Sequence, residues 1–330
     1  MVTLEDVAKK AQVSASTVSR VLSGKVAVAP DTAKRVRQAV QELEYQPNLL
    51  AQGLKGTSLR TIGILLPNVR SLAFPAALRG IEDVAHQAGY TVVFCDTDED
   101  PEKERLYIRN LKQRLIDGLI LTTAHPDNPN LADLVAEEFP VVALVRHLEG
   151  VSDAIIVDNR AGAYEATKYM LSRGIRRLWV LNGDPKLLLY KERCEGIRQA
   201  YQEENISWDQ VQIFSTLYDT EDSYRKVQEL LQTEALPEGI FALNDPKAIG
   251  ALRALTEAGI SVPEQVSVFG FDDLDVAPWL SPALTTVAQP FYQMGQEACQ
   301  RLIERITTKE KLPIVQKILP AKLMIRESVR

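Results

Sequence analysis

From Thr61 onward, short β-rich runs alternate with longer stretches of helical period, and this alternation leaves the chain few ways to fold. The runs are Ile62–Leu66, Thr91–Cys95, Leu119–Thr122, Val141–Val145, Leu178–Leu181, Val211–Phe214, Ile240–Leu243 and Val266–Phe269. Helix-period segments such as Ala73–Ala88 and Ala161–Ser172 lie between them. The pattern predicts parallel strands joined by crossover helices, an α/β architecture. So many strands exceed the usual size of one sheet, and the series restarts after about residue 158, so two doubly wound lobes are expected. Ligands of such sheets bind beyond the carboxyl ends of the strands, which puts a cleft between facing lobes.

The first sixty residues follow another rule. Thr3 and Asp6 form a T-x-x-D capping pattern, after which Leu4, Val7, Ala8 and Ala11 share one helical face. Ser14 caps a second helix that turns Val18, Val21 and Leu22 inward and Ala15, Ser16, Ser19, Arg20 and Ser23 outward, and Gly24 stops it. Pro30 suits the first turn of a third helix carrying Val36, Val40 and Leu43. An all-α head of three helices results. Pro47 prevents the third helix from continuing, one short helical turn fits between Asn48 and Leu54, and Gly56–Ser58 reads as linker.

Charge divides along the same line. The chain of 330 residues carries a net charge of −6, yet residues 1–60 hold nine Lys/Arg against five Asp/Glu, a net of +4. The remainder holds 29 basic and 39 acidic side chains, a net of −10. One end therefore suits a polyanion and the rest repels it. Cys95, Cys194 and Cys299 are scattered, as are His86, His125 and His147, so neither a disulfide framework nor a metal motif is expected, and no cofactor is implied. Apolar runs such as Ile62–Leu66 fall far short of the ~20 residues a spanning helix needs. The charged start, MVTLEDVAKK, does not resemble a secretory signal, so a cytoplasmic protein is expected.

The stretch from Thr3 to Gly24, TLEDVAKKAQVSASTVSRVLSG, resembles the helix-turn-helix of the lactose-repressor/galactose-repressor family of bacterial transcription regulators. The likeness continues through Tyr45-Gln46-Pro47-Asn48 and the hinge at Ala51 and Leu54, and extends to about residue 330. It implies a helix-turn-helix head at 1–46, a hinge helix and linker at 47–60, and a two-lobed effector domain. The expected lobes are 61–158 with 289–319, and 159–288 with 320–330.

The second helix of such a head enters the major groove with its N-terminal residues against base edges. Ala15 and Ser16 stand there, a methyl that touches thymine and a hydroxyl, and Arg20 is the candidate for guanine or phosphate. Thr3, Ser14, Thr17, Ser19 and Thr32 match backbone-holding positions, and Tyr45, Asn48 and Ala51 complete the implied DNA-binding set. Taken singly, these hydroxyls are caps; taken together, they are a DNA face. Leu54 matches a leucine that wedges into a minor-groove base step and kinks the duplex. With Gly53 beside it, the hinge is expected to order only on DNA.

In the effector domain the resemblance transfers to Asn68 and Phe74, to Arg193 three residues before Gly196, and to Tyr218. It also transfers to Asn244 within N-D-x-x-A-x-G and to Asp272 within G-F-D-D. Asn244 and Asp272 would accept from and donate to sugar hydroxyls, while Asp245 is expected to cap a helix. Two departures stand out. Val145 replaces an aspartate and so leaves Arg146 without that neighbour, and the loop Lys186–Tyr190 is more apolar than the usual serine-rich version. The first removes one polar ligand contact, and the second points to a ligand less rich in hydroxyls.

Two other classes fit less well. No G-x-G-x-x-G, Walker or G-x-S-x-G motif and no histidine-centred constellation marks an α/β enzyme. A two-lobed transport protein would need a signal peptide and no DNA-binding head. The expected partners are palindromic operator DNA, a second copy of the chain in a homodimer, and a small sugar-like effector; some members of the family use a phosphorylated carrier protein instead of, or beside, the effector. No membrane partner is expected.

Overall fold

The computed structural model describes residues 2–23, 28–45, 59–114, 116–216, 220–308 and 310–330. The expected stop at Gly24, the hinge with Asn48, Ala51, Gly53 and Leu54, and Tyr218 lie outside the described residues. The chain divides into two compact units, Met1–Leu59 and Arg60–Arg330.

In the first unit, α1 (Leu4–Ala11) opens on a capping box, in which Thr3 Oγ1 accepts from the Asp6 amide and Asp6 accepts from the Thr3 amide. Gln12, with φ of 55°, closes α1 in the left-handed region and turns the chain into α2 (Ala15–Ser23). Pro30 is the first residue of α3 (Pro30–Glu42). Val7, Ala8, Ala11, Val18, Val36 and Ala39 form the core. Ala15, expected to face outward, packs half-buried against that core, because the first turn of α2 lies close over α1.

The second unit contains two parallel sheets. Strands β1 (Thr61–Leu66), β2 (Thr91–Asp96), β3 (Gly118–Leu121), β4 (Val141–Leu144), β5 (Asp153–Val157) and β11 (Gln316–Leu319) form one, in the order β11-β5-β4-β3-β1-β2. Strands β6 (Leu178–Asn182), β7 (Val211–Ser215), β8 (Gly239–Ala242) and β9 (Ser267–Phe269) form the other, in the order β7-β6-β8-β9. An antiparallel pair, β10 (Thr286–Ala288) with β12 (Lys322–Met324), completes the unit among the described residues. Each large sheet reverses its winding beside its first strand, the arrangement that opens a ligand crevice at the carboxyl edge.

Helices cover both faces of each sheet. Ile62, Ile64 and Leu66 of β1 face α4 (Phe74–Gln87) and α11 (Phe291–Thr307), while Leu65 faces α5 (Pro101–Gln113) and α6 (Asn130–Ala136), the alternation a pleated strand imposes. In the second sheet, α7 (Asn159–Ser172) and α8 (Leu188–Glu203) lie on one side, and α9 (Thr220–Thr233) and α10 (Asp245–Glu257) on the other. The paired helices approach backbone to backbone. A Cβ on Gly295 would lie 2.1 Å from the Ala77 carbonyl oxygen, and one on Gly196 would lie 2.2 Å from that of Arg160.

Strands β5, β10, β11 and β12 exceed the sequence expectation. They are three to five residues long, and β11 reaches its partner β5 from about 160 residues downstream, a pairing that no local period announces.

Candidate functional site

The head presents its polar groups on and before α2. Ser14 Oγ accepts from the Thr17 amide at 3.2 Å and shares hydrogen bonds with the hydroxyls of Ser16 at 2.8 Å and Thr17 at 2.9 Å. Capping has thus fixed these hydroxyls in one cluster, with Ser14, Ser16, Ser19 and Arg20 exposed and Thr17 and Thr32 half-buried. Thr3 is exposed and engaged in its capping box. Tyr45, expected at the DNA face, packs into the head's core and is 9% exposed, since its ring fills the space beside the C-terminal end of α3.

The second unit contains a chamber of about 830 Å³ at the carboxyl ends of both sheets. Asn68 after β1, Thr97 and Glu99 after β2, Thr123 and His125 after β3, and Arg146 after β4 come from one sheet. Gly183 and Asp184 after β6, Thr216 after β7, and Tyr190 and Lys226 from flanking helices come from the other. The loops after β1, β2, β3, β4, β6 and β7 are all represented. Across the cleft, His125 Nε2 meets Asp184 Oδ2 at 3.0 Å and Lys186 Nζ meets Asp127 at 2.5 Å.

Arg146 does have an acidic neighbour. Its two guanidinium nitrogens reach both Glu99 oxygens at 2.8 and 2.6 Å, a bidentate pair in which Arg146 is buried. The acid that is missing at Val145 is supplied by the loop after β2, a substitution across strands that adjacency in the sequence cannot show. Part of the backbone strain falls at the same place, and another part at Asp272 (φ 138°) and Asp273 (φ 57°). Val145 (φ 68°), Asp98 (φ 52°) and Glu99 (φ 60°) all occupy the left-handed region, where a β-branched residue is a true outlier, and such strain costs about 1–3 kcal/mol per residue and persists where function holds it. Glu104, also at the chamber, is buried and accepts from the side-chain amides of Asn128 and Asn130, each at 3.1 Å. Burial raises its carboxyl above the ordinary range against those hydrogen bonds.

The other expected effector residues gather behind the chamber. Phe74, Arg193, Asn244 and Asp272 border a void of about 20 Å³, all of them buried, and Phe74 also belongs to the core beneath β1. Arg193 donates to Asn159 Oδ1 at 2.9 Å and to the Leu243 carbonyl at 2.5 Å, and it stacks 3.6 Å from the centre of the Phe271 ring. Asp272 accepts from Gln289 at 2.6 Å. The cap of α10 is Asn244, which accepts from the Lys247 amide at 2.9 Å, and not Asp245. Asp245 turns inward instead, accepting from Thr286 Oγ1 at 2.6 Å and the Leu274 amide at 2.8 Å. Desolvation, together with the proximity of Asp272, pushes the Asp245 carboxyl up, and desolvation raises that of Asp272 against the pull of Arg193. The structure thus brings four of the expected residues together and separates Asn68 from them.

Sequence reasoning missed Glu99, Glu104, Thr97, Thr123, His125, Thr216 and Lys226. The signal was present in the carboxyl-end rule, had it been applied to the loops after β2, β3 and β7 as well as those after β1 and β8.

Comparison with known proteins decides the class. Residues 3–48 match the family model described as bacterial regulatory proteins, lacI family, and residues 167–329 match a periplasmic binding protein-like domain. Over its whole length the chain is 36% identical to 98% of the ribose operon repressor of Halalkalibacterium halodurans. The chain belongs to the lacI family of bacterial regulatory proteins. Over 94% of its length it is 34% identical to 93% of the transcriptional repressor PurR of Aliivibrio salmonicida. Among solved structures, the lac repressor dimer bound to operator and the anti-inducer ONPF aligns with 99% of this chain and 98% of its own, with a TM-score of 0.87 and 27% identity. A ribose-bound LacI-family regulator from Enterococcus faecium aligns with 82% of this chain and 98% of its own, with a TM-score of 0.73 and 32% identity. The lacI-family protein described here is an effector-controlled, DNA-binding transcription regulator, and these relatives are regulators, not enzymes.

Proposed function

We propose that the protein is a homodimeric repressor that works in the cytoplasm, binds a palindromic operator through residues 1–46 and a hinge at 47–60, and responds to a small sugar-like effector held in the chamber. In this reading Ala15, Ser16 and Arg20 read bases. Thr3, Ser14, Thr17, Ser19 and Thr32 hold phosphates, and Asn48, Ala51 and Leu54 belong to the same interface, while Tyr45 supports it from the head's core. The effector lobes are 61–158 with 289–319, and 159–288 with 320–330. Two heads on a two-fold axis double the phosphate contacts and match a palindrome.

The observation that carries the effector reading is the chamber of about 830 Å³ at the carboxyl ends of both sheets, bordered by the strained Val145–Arg146 turn and the Glu99 that pairs with it. Its size lies within the range of roughly 300–1,000 Å³ typical of small-molecule sites. Asn68 stands at its wall, Tyr218 belongs to the same cleft in the resemblance, and Phe74, Arg193, Asn244 and Asp272 border the small void behind it. A thermal-shift screen over sugars, sugar phosphates, nucleosides and purines tests the reading, followed by operator titration with each hit. A stabilising ligand that changes operator affinity is the expected result. Stabilisation by none of the panel moves the control to a phosphorylated carrier protein.

A further inference from the structure

Two loops that meet across the chamber are built alike. The loop after β3 reads His125-Pro126-Asp127 and the loop after β6 reads Asp184-Pro185-Lys186, so each lobe offers one acid and one nitrogen base on either side of a proline. Proline fixes its own φ at about −65°, which stiffens the short spacer. The first residue of each triplet is tied to the amide of the third: the Asp127 amide donates to His125 Nδ1 at 3.1 Å, and the Lys186 amide donates to Asp184 Oδ1 at 2.9 Å. With Nδ1 accepting, Nε2 carries the hydrogen and donates across the cleft to Asp184 Oδ2 at 3.0 Å. Lys186 Nζ donates back to Asp127 Oδ2 at 2.5 Å. The four hydrogen bonds close a ring, two of them within the loops and two between the lobes. His125, Asp127 and Asp184 also line the chamber.

We propose that these four residues are a clasp that holds the two lobes together over the chamber and must open each time an effector enters or leaves. A lone exposed ion pair contributes little, and all four side chains keep part of their surface in water, so the contact is weak enough to be reversible. The ring holds better than either pair alone, because the proline-spaced loops have ordered the partners before the lobes meet. Opening breaks only the two bonds between lobes. The two within the loops keep each half in place, so the clasp closes again in register. The hydrogen bond and charge of Asp127 raise the Lys186 ammonium above the ordinary lysine range, which keeps it charged for closure. This inference rests on the chamber being the effector site.

The test uses the full-length protein and a water-soluble carbodiimide, which joins a carboxylate to an amine where the two touch. One Asp127 oxygen leaves with the reagent as a urea, and Lys186 Nζ takes its place in an amide. Peptide mass spectrometry of the wild type is expected to show the Asp127–Lys186 link. Asp184→Ala and His125→Ala leave both linked residues in place but break the other half of the ring. Each is expected to lower the yield about fivefold, the loss that follows from removing an exposed pair at the strong end of its range. His125→Gln, which keeps a donor of similar reach, is expected to retain most of the link. Melting checks the fold of each variant, and if Asp184→Ala melts below the assay temperature, His125→Ala on the opposite lobe carries the test. A wild type that forms no link overturns the proposal, and so does a yield that neither alanine changes. Operator titration of the same variants judges the regulatory reading separately. A change in affinity of about threefold is expected, since the lobes bias the operator-bound state by no more than the clasp supplies. An unchanged affinity removes the control role of the cleft while leaving the clasp intact.

Discussion

The head and the effector unit use polar residues in opposite ways. In the head a small apolar core carries an exposed layer of hydroxyls and cations, and the hydrogen bonds found at Thr3 and Ser14 are local ones, spanning three residues or fewer. In the effector unit the informative polar groups are buried and are satisfied by partners far away in sequence, such as Arg146 with Glu99, 47 residues apart, or Asp245 with Thr286, 41 residues apart. The exposed layer is free to meet a partner without loss of fold. The buried one cannot change without cost to stability, because removing one member leaves another unsatisfied in a poorly solvating interior.

This contrast breaks if buried and exposed substitutions behave alike. The largest stability effect is expected at Asp153, whose fully buried carboxylate binds Arg301, Arg305 and the Val315 amide. Asp153→Ala should cost about 3–5 kcal/mol in denaturant unfolding, because two arginines lose their counter-charge. Gly295→Ala should follow at about 1–3 kcal/mol, since its new methyl meets the Ala77 carbonyl across the α4–α11 contact. Arg20→Ala should leave the melting temperature unchanged, yet abolish operator-specific retention in a gel shift, a loss of about 1–3 kcal/mol if it reads a guanine. Ser14→Ala should remove the cap of α2 and cost about 1 kcal/mol of head stability. The gentlest effect is a slope. Asp245 has a raised folded-state pKa, so its contribution is fully present at acid pH and is lost as pH rises from the ordinary carboxylate range toward neutrality. Melting temperatures across that window should fall more steeply for wild type than for Asp245→Asn.

The same contrast explains what was legible in the sequence. Helix faces, caps and the proline at the start of α3 obey local rules, so the head could be read almost residue by residue; Ala15 and Tyr45 escaped because tertiary packing draws them inward. Eight strands announced themselves as apolar runs, whereas β11 and β12 are short and depend on distant partners. In the cleft, Arg193 and Asp272 were visible through their motifs, but Glu99 was not, because its importance comes from a side chain on another strand. The placement of the Tyr190 ring depends on a glycine seven positions earlier that leaves room for it.

The central claim is that the basic head is the DNA reader of this regulator. It is tested most directly by fluorescence anisotropy of labelled operator DNA with the intact protein, titrated at a series of salt concentrations. The account predicts tight binding that weakens by orders of magnitude between about 50 and 200 mM salt, as expected when several phosphates are neutralised. It also predicts that Arg20→Ala binds operator and scrambled DNA alike. An operator affinity independent of salt and untouched by the Arg20 substitution would contradict it.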